Sequence, residues 1–366
     1  MTPSIDVHSL ARSEVRALPL YVPEVADCDV DLSDNTNLWG PPPAALRALQ
    51  DAGASAVSRY PSVYSSMLRP AVFGYLGLPE SAPLGIVTGC GSDNVIDSTL
   101  RAFGSAGDQV AFSAPTFSMI PIFARVNGLE PLSVPLTASF DVDAERLVSL
   151  GARITYLCSP NNPTATALSR EAVDYVVTNA RGIVLLDEAY AEFAPESFLD
   201  LVERHERLIV ARTFSKAFGL AGLRVGYGVA STALAGLVER ARGPYMVNAL
   251  SERAVLASLR EGDDGAGWVR KHAALAIELR TRLAASLESM GLSALPSAAN
   301  FVFVPVSRAR DIASALQSRG ILVRAFAGLP RDLPELEASA GAALRIGVGP
   351  WPMMARLLDA LGEVLT

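Results

Sequence analysis

The sequence predicts an α/β protein, with a large domain built on a mainly parallel sheet flanked by helices and a smaller α/β domain after it. Two patterns carry this. From Ile86 onward short apolar runs alternate with helix-length segments, as a parallel sheet with crossover helices requires. After Val229 and Ala230 the spacing changes to long amphipathic helices, notably Trp268 to Met290. Length supplies a third observation, since 366 residues, half of them hydrophobic and 19% charged, suffice for two domains with cores of their own. The expected division is an amino-terminal arm over 1–30 packing with the small domain, a large domain over 31–240 and a small domain over 241–366. Gly243-Pro244 breaks the helical pattern near the change.

Composition excludes several classes. A net charge of -7 with no cluster of Lys and Arg argues against a nucleic-acid or acidic-membrane surface. Cys28, Cys90 and Cys158 are odd in number and widely spaced, so neither a disulfide framework nor a zinc site is indicated. His8, His205 and His272 stand far apart without ligand spacing, and no metal is expected. The amino terminus has no basic segment leading into an apolar core, and no apolar run approaches the ~18 residues of a membrane span. A reducing cytoplasm is the expected location.

Along the chain, Leu10, Val15, Leu18 and Leu20 suit a short helix and arm, after which Pro19 and Pro23 bracket Tyr21. A polar loop from Asp31 to Gly40 closes in a proline run. Arg59-Tyr60-Pro61 reads as extended loop. The clearest strands are Ile86-Val-Thr, Val110-Ala-Phe, Ile154-Thr-Tyr-Leu, Ile183-Val-Leu-Leu and Leu208-Ile-Val, with later ones at Phe301–Val304, Ile321–Val323 and Leu344–Ile346.

The loops at the carboxyl ends of these runs carry the chemistry. Gly89-Cys-Gly-Ser92-Asp93 opens a helix over Asn94–Phe103, and the free N–H groups at such an end suit a phosphate. Phe117, after the second strand, can lie flat on an aromatic ring or serve as core. Asn162, held by Pro163, is either a turn residue or an amide donor. Asp187 ends an apolar strand, where a carboxylate is costly unless paired, although a helix cap is the alternative. Tyr190 follows three residues on.

Lys216 is one of only two lysines, the other being Lys271, in a chain rich in arginine. Among small and apolar residues it suggests an amine that must lose its proton, which a guanidinium cannot do, and a Schiff-base lysine is the leading candidate against a surface lysine near a turn. Gly219 and Gly222 keep the following segment slim, and Arg224 returns a fixed charge. Arg324 and Arg345 lie in otherwise apolar strands and need anions, from a substrate or from an internal salt bridge.

The string Ser215-Lys-Ala-Phe-Gly-Leu-Ala-Gly-Leu-Arg224 resembles the lysine motif of the fold-type I aminotransferases dependent on pyridoxal 5'-phosphate, most closely the histidinol-phosphate aminotransferase group. Matching landmarks run from Tyr21 to Arg345 in the expected order. The resemblance implies that Lys216 binds the cofactor aldehyde and that Asp187 pairs with the ring nitrogen. Asn162 and Tyr190 would meet the ring oxygen, and Phe117 would stack on the ring. It assigns the phosphate to the backbone at Ser92 and Asp93 and to Thr213, Ser215 and Arg224. Tyr60 would reach into the neighbouring subunit, implying a homodimer with shared sites. Tyr21, Asn37, Arg324 and Arg345 would face the substrate. The implied reaction moves an amino group between a small amino donor and a keto-acid acceptor, 2-oxoglutarate. Thr36, Leu38 and Trp39 depart from the usual Asn-Glu-Asn-Pro-Tyr-Gly of the group, and Ala165 stands where glycine is common. These changes leave open an aromatic amino-acid or specialised biosynthetic aminotransferase, and the fold is shared by a phosphothreonine-type decarboxylase.

Overall fold

The computed structural model describes residues 6–20 and 27–365. Among the described residues twelve strands form three sheets. In chain order they are β1 (Val30–Asp31), β2 (Leu84–Gly89), β3 (Gln109–Ala114), β4 (Glu130–Pro135), β5 (Ile154–Cys158) and β6 (Ile183–Asp187). Then come β7 (Leu208–Thr213), β8 (Gly226–Ser231), β9 (Phe301–Pro305), β10 (Ile321–Leu322), β11 (Arg324–Phe326) and β12 (Ala343–Gly347).

The large sheet has the order β2-β8-β7-β6-β5-β3-β4. Its strands from β7 to β4 pair in parallel, while β8 is antiparallel to both of its neighbours. Two antiparallel steps restore direction, so β2 ends at the same edge as β3, β5, β6 and β7. The apolar runs are continuous because both faces are covered. Val184, Leu186, Leu208 and Val210 enter one core, and Leu185, Ile209 and Ala211 enter the core on the other face. Neither β4 nor β8 was among the expected strands. In β8 two glycines within Gly226-Tyr-Gly-Val-Ala-Ser dilute the β signal that packing then overrides.

The second core gathers β9, β12, the end of helix Ala266–Ser289 and helix Trp351–Leu365. The segment expected as one strand over Ile321–Val323 divides. Its first half pairs with β1, and the chain then crosses to pair β11 with β12, setting Arg324 opposite Arg345. The arm also differs from expectation. Residues 27–32 do join the small domain, through Val30 and Leu32. Residues 6–20, by contrast, form two single-turn helices beside helix Ile120–Val126 of the large domain, with the Arg12 guanidinium donating to the Val126 carbonyl. Leu10 and Leu20 stay 72% and 91% exposed.

One buried ion pair ties the strand ends together. The Arg212 guanidinium in β7 donates to Glu188 just beyond β6 at 2.7 and 2.9 Å, and Ser197 and the Phe198 amide also donate to that carboxylate. Both partners are buried. Replacing Arg212 with methionine strands Glu188 and is expected to cost about 3–5 kcal/mol of stability. Chemical denaturation of the two proteins checks this.

Candidate active site

The strand order runs from β3 outward to β4, then back across β3 to β5 and on to β7. Ligand crevices in such sheets form at this reversal, outside the carboxyl ends of the strands. A cavity of about 560 Å³ opens there. Ser92 and Asp93 reach it from beyond β2, Phe117 from beyond β3, Asn162 from beyond β5 and Asp187 and Tyr190 from β6 and its loop. Thr213, Ser215, Lys216 and Arg224 come from β7 and its loop, and Arg324 and Arg345 from the small domain.

Lys216 sits half-buried, its Nζ donating to the Asp34 carbonyl at 3.1 Å and lying 5.8 Å from the centre of the Tyr190 ring. Loss of bulk water, then the Arg345 charge, pushes its amine down to about 8. More of it is therefore neutral near physiological pH than of an ordinary lysine. Gly219 adopts φ +63°, and a Cβ there would lie 2.3 Å from the Gly40 carbonyl, so this glycine lets the lysine loop pack on the loop after β1. Gly222, expected to keep the chain slim, has open space around it.

Helix Gly91–Phe103 begins at the cavity with no side-chain cap, leaving first-turn amides directed at it. Gly91 has φ +78°, and a Cβ there would meet Arg224 Nη2 at 2.5 Å, so only glycine lets the guanidinium lie over the helix end. Arg224 itself is held at φ 53°, a left-handed conformation that costs energy and turns its side chain into the cradle. There Nη2 bonds Asp93 at 3.2 Å and Nη1 bonds Ser215 Oγ at 3.3 Å, and Thr213 Oγ1 donates to Ser215 Oγ at 3.0 Å. Amides, hydroxyls and a guanidinium thus converge where an anion fits.

At the opposite end Asp187 is 4% exposed and accepts from the Tyr156 hydroxyl at 2.9 Å and the Ala189 amide at 3.0 Å. Among the described residues it has no ion pair, and burial pushes its carboxyl up to about 7. It caps no helix beyond the Ala189 turn, so it is an acid set in a protein interior without a cation. Asn162 Oδ1 accepts from Arg345 Nη1 at 2.8 Å, which leaves its amide as a donor. The Tyr190 hydroxyl accepts from Asn35 Nδ2 at 3.0 Å. The Arg345 guanidinium also lies between Phe301 and Phe326, at 5.5 and 5.7 Å from the ring centres.

Two expected site residues do not line the cavity, and a third lies outside the described residues. Asn37, expected to face the substrate, instead accepts from the Trp39 amide at 3.0 Å and donates to the Ala217 carbonyl at 2.8 Å, bracing the lysine loop from behind. Tyr60 is 83% exposed and stacks on Tyr245 at 4.8 Å, on the outer surface of the chain. Tyr21 lies outside the described residues. Conversely, Asp34, Asn35, Tyr156, Phe326 and Leu329 serve the cavity or its acids without having been singled out. Only the Asn35 position carried a signal, as the first asparagine of the altered loop. The others sit in stretches that read as ordinary strand or loop.

A mixed sheet with an amine near neutrality, an anion cradle and an uncompensated acid gathered along one edge meets the needs of a fold-type I transaminase dependent on pyridoxal phosphate. Sequence and structure comparison agrees: the family described as Aminotransferase class I and II matches residues 28–361, and the chain belongs to it. A histidinol-phosphate aminotransferase of Roseiflexus castenholzii is 37% identical, across 98% of this chain and 99% of that protein. An aromatic amino acid aminotransferase of Mycobacterium tuberculosis is 34% identical, across 86% of this chain and 90% of that one. The crystal structure of the Sinorhizobium meliloti histidinol-phosphate aminotransferase in complex with pyridoxal-5'-phosphate superimposes with a TM-score of 0.86, at 26% identity over 98% of both chains. Among the described residues no helix is long and apolar enough to cross a membrane.

Proposed function

We propose that this chain is a histidinol-phosphate type aminotransferase, moving an amino group between that amino donor and 2-oxoglutarate. The observation that carries the phosphate is the register of β11 on β12. Arg324 and Arg345 are direct cross-strand partners, so their side chains share one face, and both line the cavity. Two guanidiniums on one face present two forks side by side, and a dianion has oxygens for both.

The residues fit pyridoxal 5'-phosphate. Asp187, buried without a cation, suits a protonated ring nitrogen, and the cradle of Ser92, Asp93, Thr213, Ser215 and Arg224 suits its phosphate. Phe117 would cover one face of the ring, and the Asn162 amide and Tyr190 hydroxyl would meet its oxygen. When bound, the cofactor supplies an aldehyde that combines with amines and a ring that draws electrons from the substrate's α carbon. Lys216 would anchor it, and its amine, of fitting basicity, would move the α proton as a general base. Asp187 would keep the ring nitrogen charged. Phe326 and Leu329 add apolar lining to the cavity.

Truncating Arg345 should raise the Michaelis constant for every good substrate. Truncating Arg324 should hurt histidinol phosphate far more than phenylalanine, by roughly ten- to hundredfold, since a charged hydrogen bond contributes about 1.5–3 kcal/mol. Steady-state kinetics on both substrates decide it: equal losses would favour the aromatic amino-acid reading, which the apolar side of the cavity, with Phe117, Phe326 and Leu329, also suits. Released carbon dioxide in place of a keto product would mark the decarboxylase reading.

The same proposal makes the enzyme a cytoplasmic homodimer with shared sites. Tyr60 and Tyr245 stack in the open, and Val57, Tyr64 and Met67 are further exposed apolar side chains in the same stretch of chain as Tyr60, which suits a subunit interface. An inactive Lys216→Ala chain mixed with an inactive Tyr60→Phe chain should regain activity in the heterodimer, where one site has both groups intact. Verified heterodimers without recovery would count against sharing.

A further inference from the structure

We propose that Tyr156 is a positioning residue for Asp187: its buried hydroxyl holds that carboxylate in one orientation at the cavity, ready for the ring nitrogen of the cofactor. The register of two strands puts both side chains on one face. In β5 and β6 Tyr156 pairs with Leu185 and Cys158 with Asp187, and side chains two apart along a strand share a side. Tyr156 therefore stands one step behind the acid, and the length of its ring carries the hydroxyl forward to Asp187 Oδ2 at 2.9 Å.

Packing alone would be served as well by phenylalanine. Tyr156 is 1% exposed, in a core with Ile154, Leu185, Ile209 and Ala211. A hydroxyl in such a place costs free energy unless it is bonded, and the partner it finds is the carboxylate that lines the cavity. Asp187 Oδ1 accepts from the Ala189 amide at 3.0 Å, so each oxygen has its own donor. A carboxylate held at one oxygen can swing about its Cβ–Cγ bond, whereas one held at both keeps a single setting with lone pairs left to accept from a ring N–H. The same two donors favour the anion. Against them stand burial and the charges of Asp93 and Glu188, although Asp93 is bound to Arg224 and Glu188 to Arg212. Burial pushes the Cys158 thiol up, so that neighbour stays neutral. Of the two donors, the hydroxyl is the one that a substitution removes.

The idea rests on Asp187 serving the cofactor, and a double-mutant cycle separates the two questions. The parent, Tyr156→Phe, Asp187→Asn and the double variant are prepared as full chains without cofactor and titrated with pyridoxal 5'-phosphate, with binding read by absorbance. Tyr156→Phe should weaken binding roughly tenfold, the lower end of the loss when a hydrogen bond to a charged group is removed. With asparagine at 187 the same change should alter binding by less than about twofold, the ordinary scatter between uncoupled sites. Thermal melts supply a readout that needs no cofactor. Losing a donor to the anion moves the folded carboxyl further above about 7, so the gap in melting temperature between Tyr156→Phe and the parent should be constant below that pH and widen above it. Asp187→Asn should abolish the widening. A merely structural hydroxyl would lower both melting curves alike at every pH. No loss of cofactor binding in Tyr156→Phe, an equal loss with aspartate and asparagine at 187, or a gap independent of pH overturns the proposal. Should Tyr156→Phe alone fail to fold, recovery on adding Asp187→Asn supports the coupling, and failure of both variants overturns it. Normal cofactor binding and turnover in Asp187→Asn would remove the role of the acid itself, and this proposal with it.

Discussion

Replacing Lys216 with alanine should lower transamination turnover by roughly 10⁴-fold, because a well-placed general base alone accounts for about 10²–10⁴-fold and the covalent anchor is lost with it. The two lysines make the assignment direct. Borohydride reduction of the holoenzyme should leave the cofactor on the peptide containing Lys216, and a label on Lys271 would sink the assignment. Their settings explain the contrast: Lys216 lines the cavity against Tyr190, while Lys271 lies on the surface of helix Ala266–Ser289. The amine at about 8 also sets a pH dependence for the cofactor-free chain. Well below that value its neutral fraction falls tenfold per pH unit, and the rate of cofactor uptake should fall with it.

Asp187→Asn should cut turnover by about 10²–10³-fold, the usual loss when one preorganised electrostatic partner is removed. Stability should move the other way. The folded carboxyl is raised to about 7 from an ordinary 3.8, so the folded chain binds the proton more tightly than the unfolded chain. Stability of the cofactor-free protein therefore falls as pH rises from about 4 to about 7, and the full cost is present above that. Asparagine removes this cost. Thermal melts of the cofactor-free proteins on either side of neutrality should show the variant gaining relative to the parent as pH rises. Near-normal turnover with the cofactor bound would reduce Asp187 to a turn residue.

Much of the cavity was legible because its residues follow strands that announce themselves. Asp187 breaks the apolar run of β6, Asn162 sits in a proline-locked turn, and Lys216 is one of two lysines. A polar group at the end of a buried strand needs a partner, and that demand is visible in one dimension. Tyr156 was not legible. Within Ile154-Thr-Tyr-Leu it reads as core, yet its hydroxyl reaches Asp187 on the neighbouring strand, a contact set by the register of β5 on β6. Asn37 was misread for the opposite reason: its place in the loop pointed at the substrate, but its two hydrogen bonds are spent on Trp39 and Ala217.

What the sequence determined by itself was the parallel-sheet plan, the order of the chemical residues along it and the lysine they serve. Periodicity and the cost of isolated polar groups act locally, so they leave a trace in the chain. What only the tertiary structure decided was which groups face one another: Arg324 beside Arg345 through the register of two short strands, Arg224 over the helix end at Gly91, and the Asp34 carbonyl against the Lys216 amine across 182 positions of chain. Those pairings depend on how strands align and loops cross, and electrostatic balance at an amine is a sum over distances that no linear pattern contains.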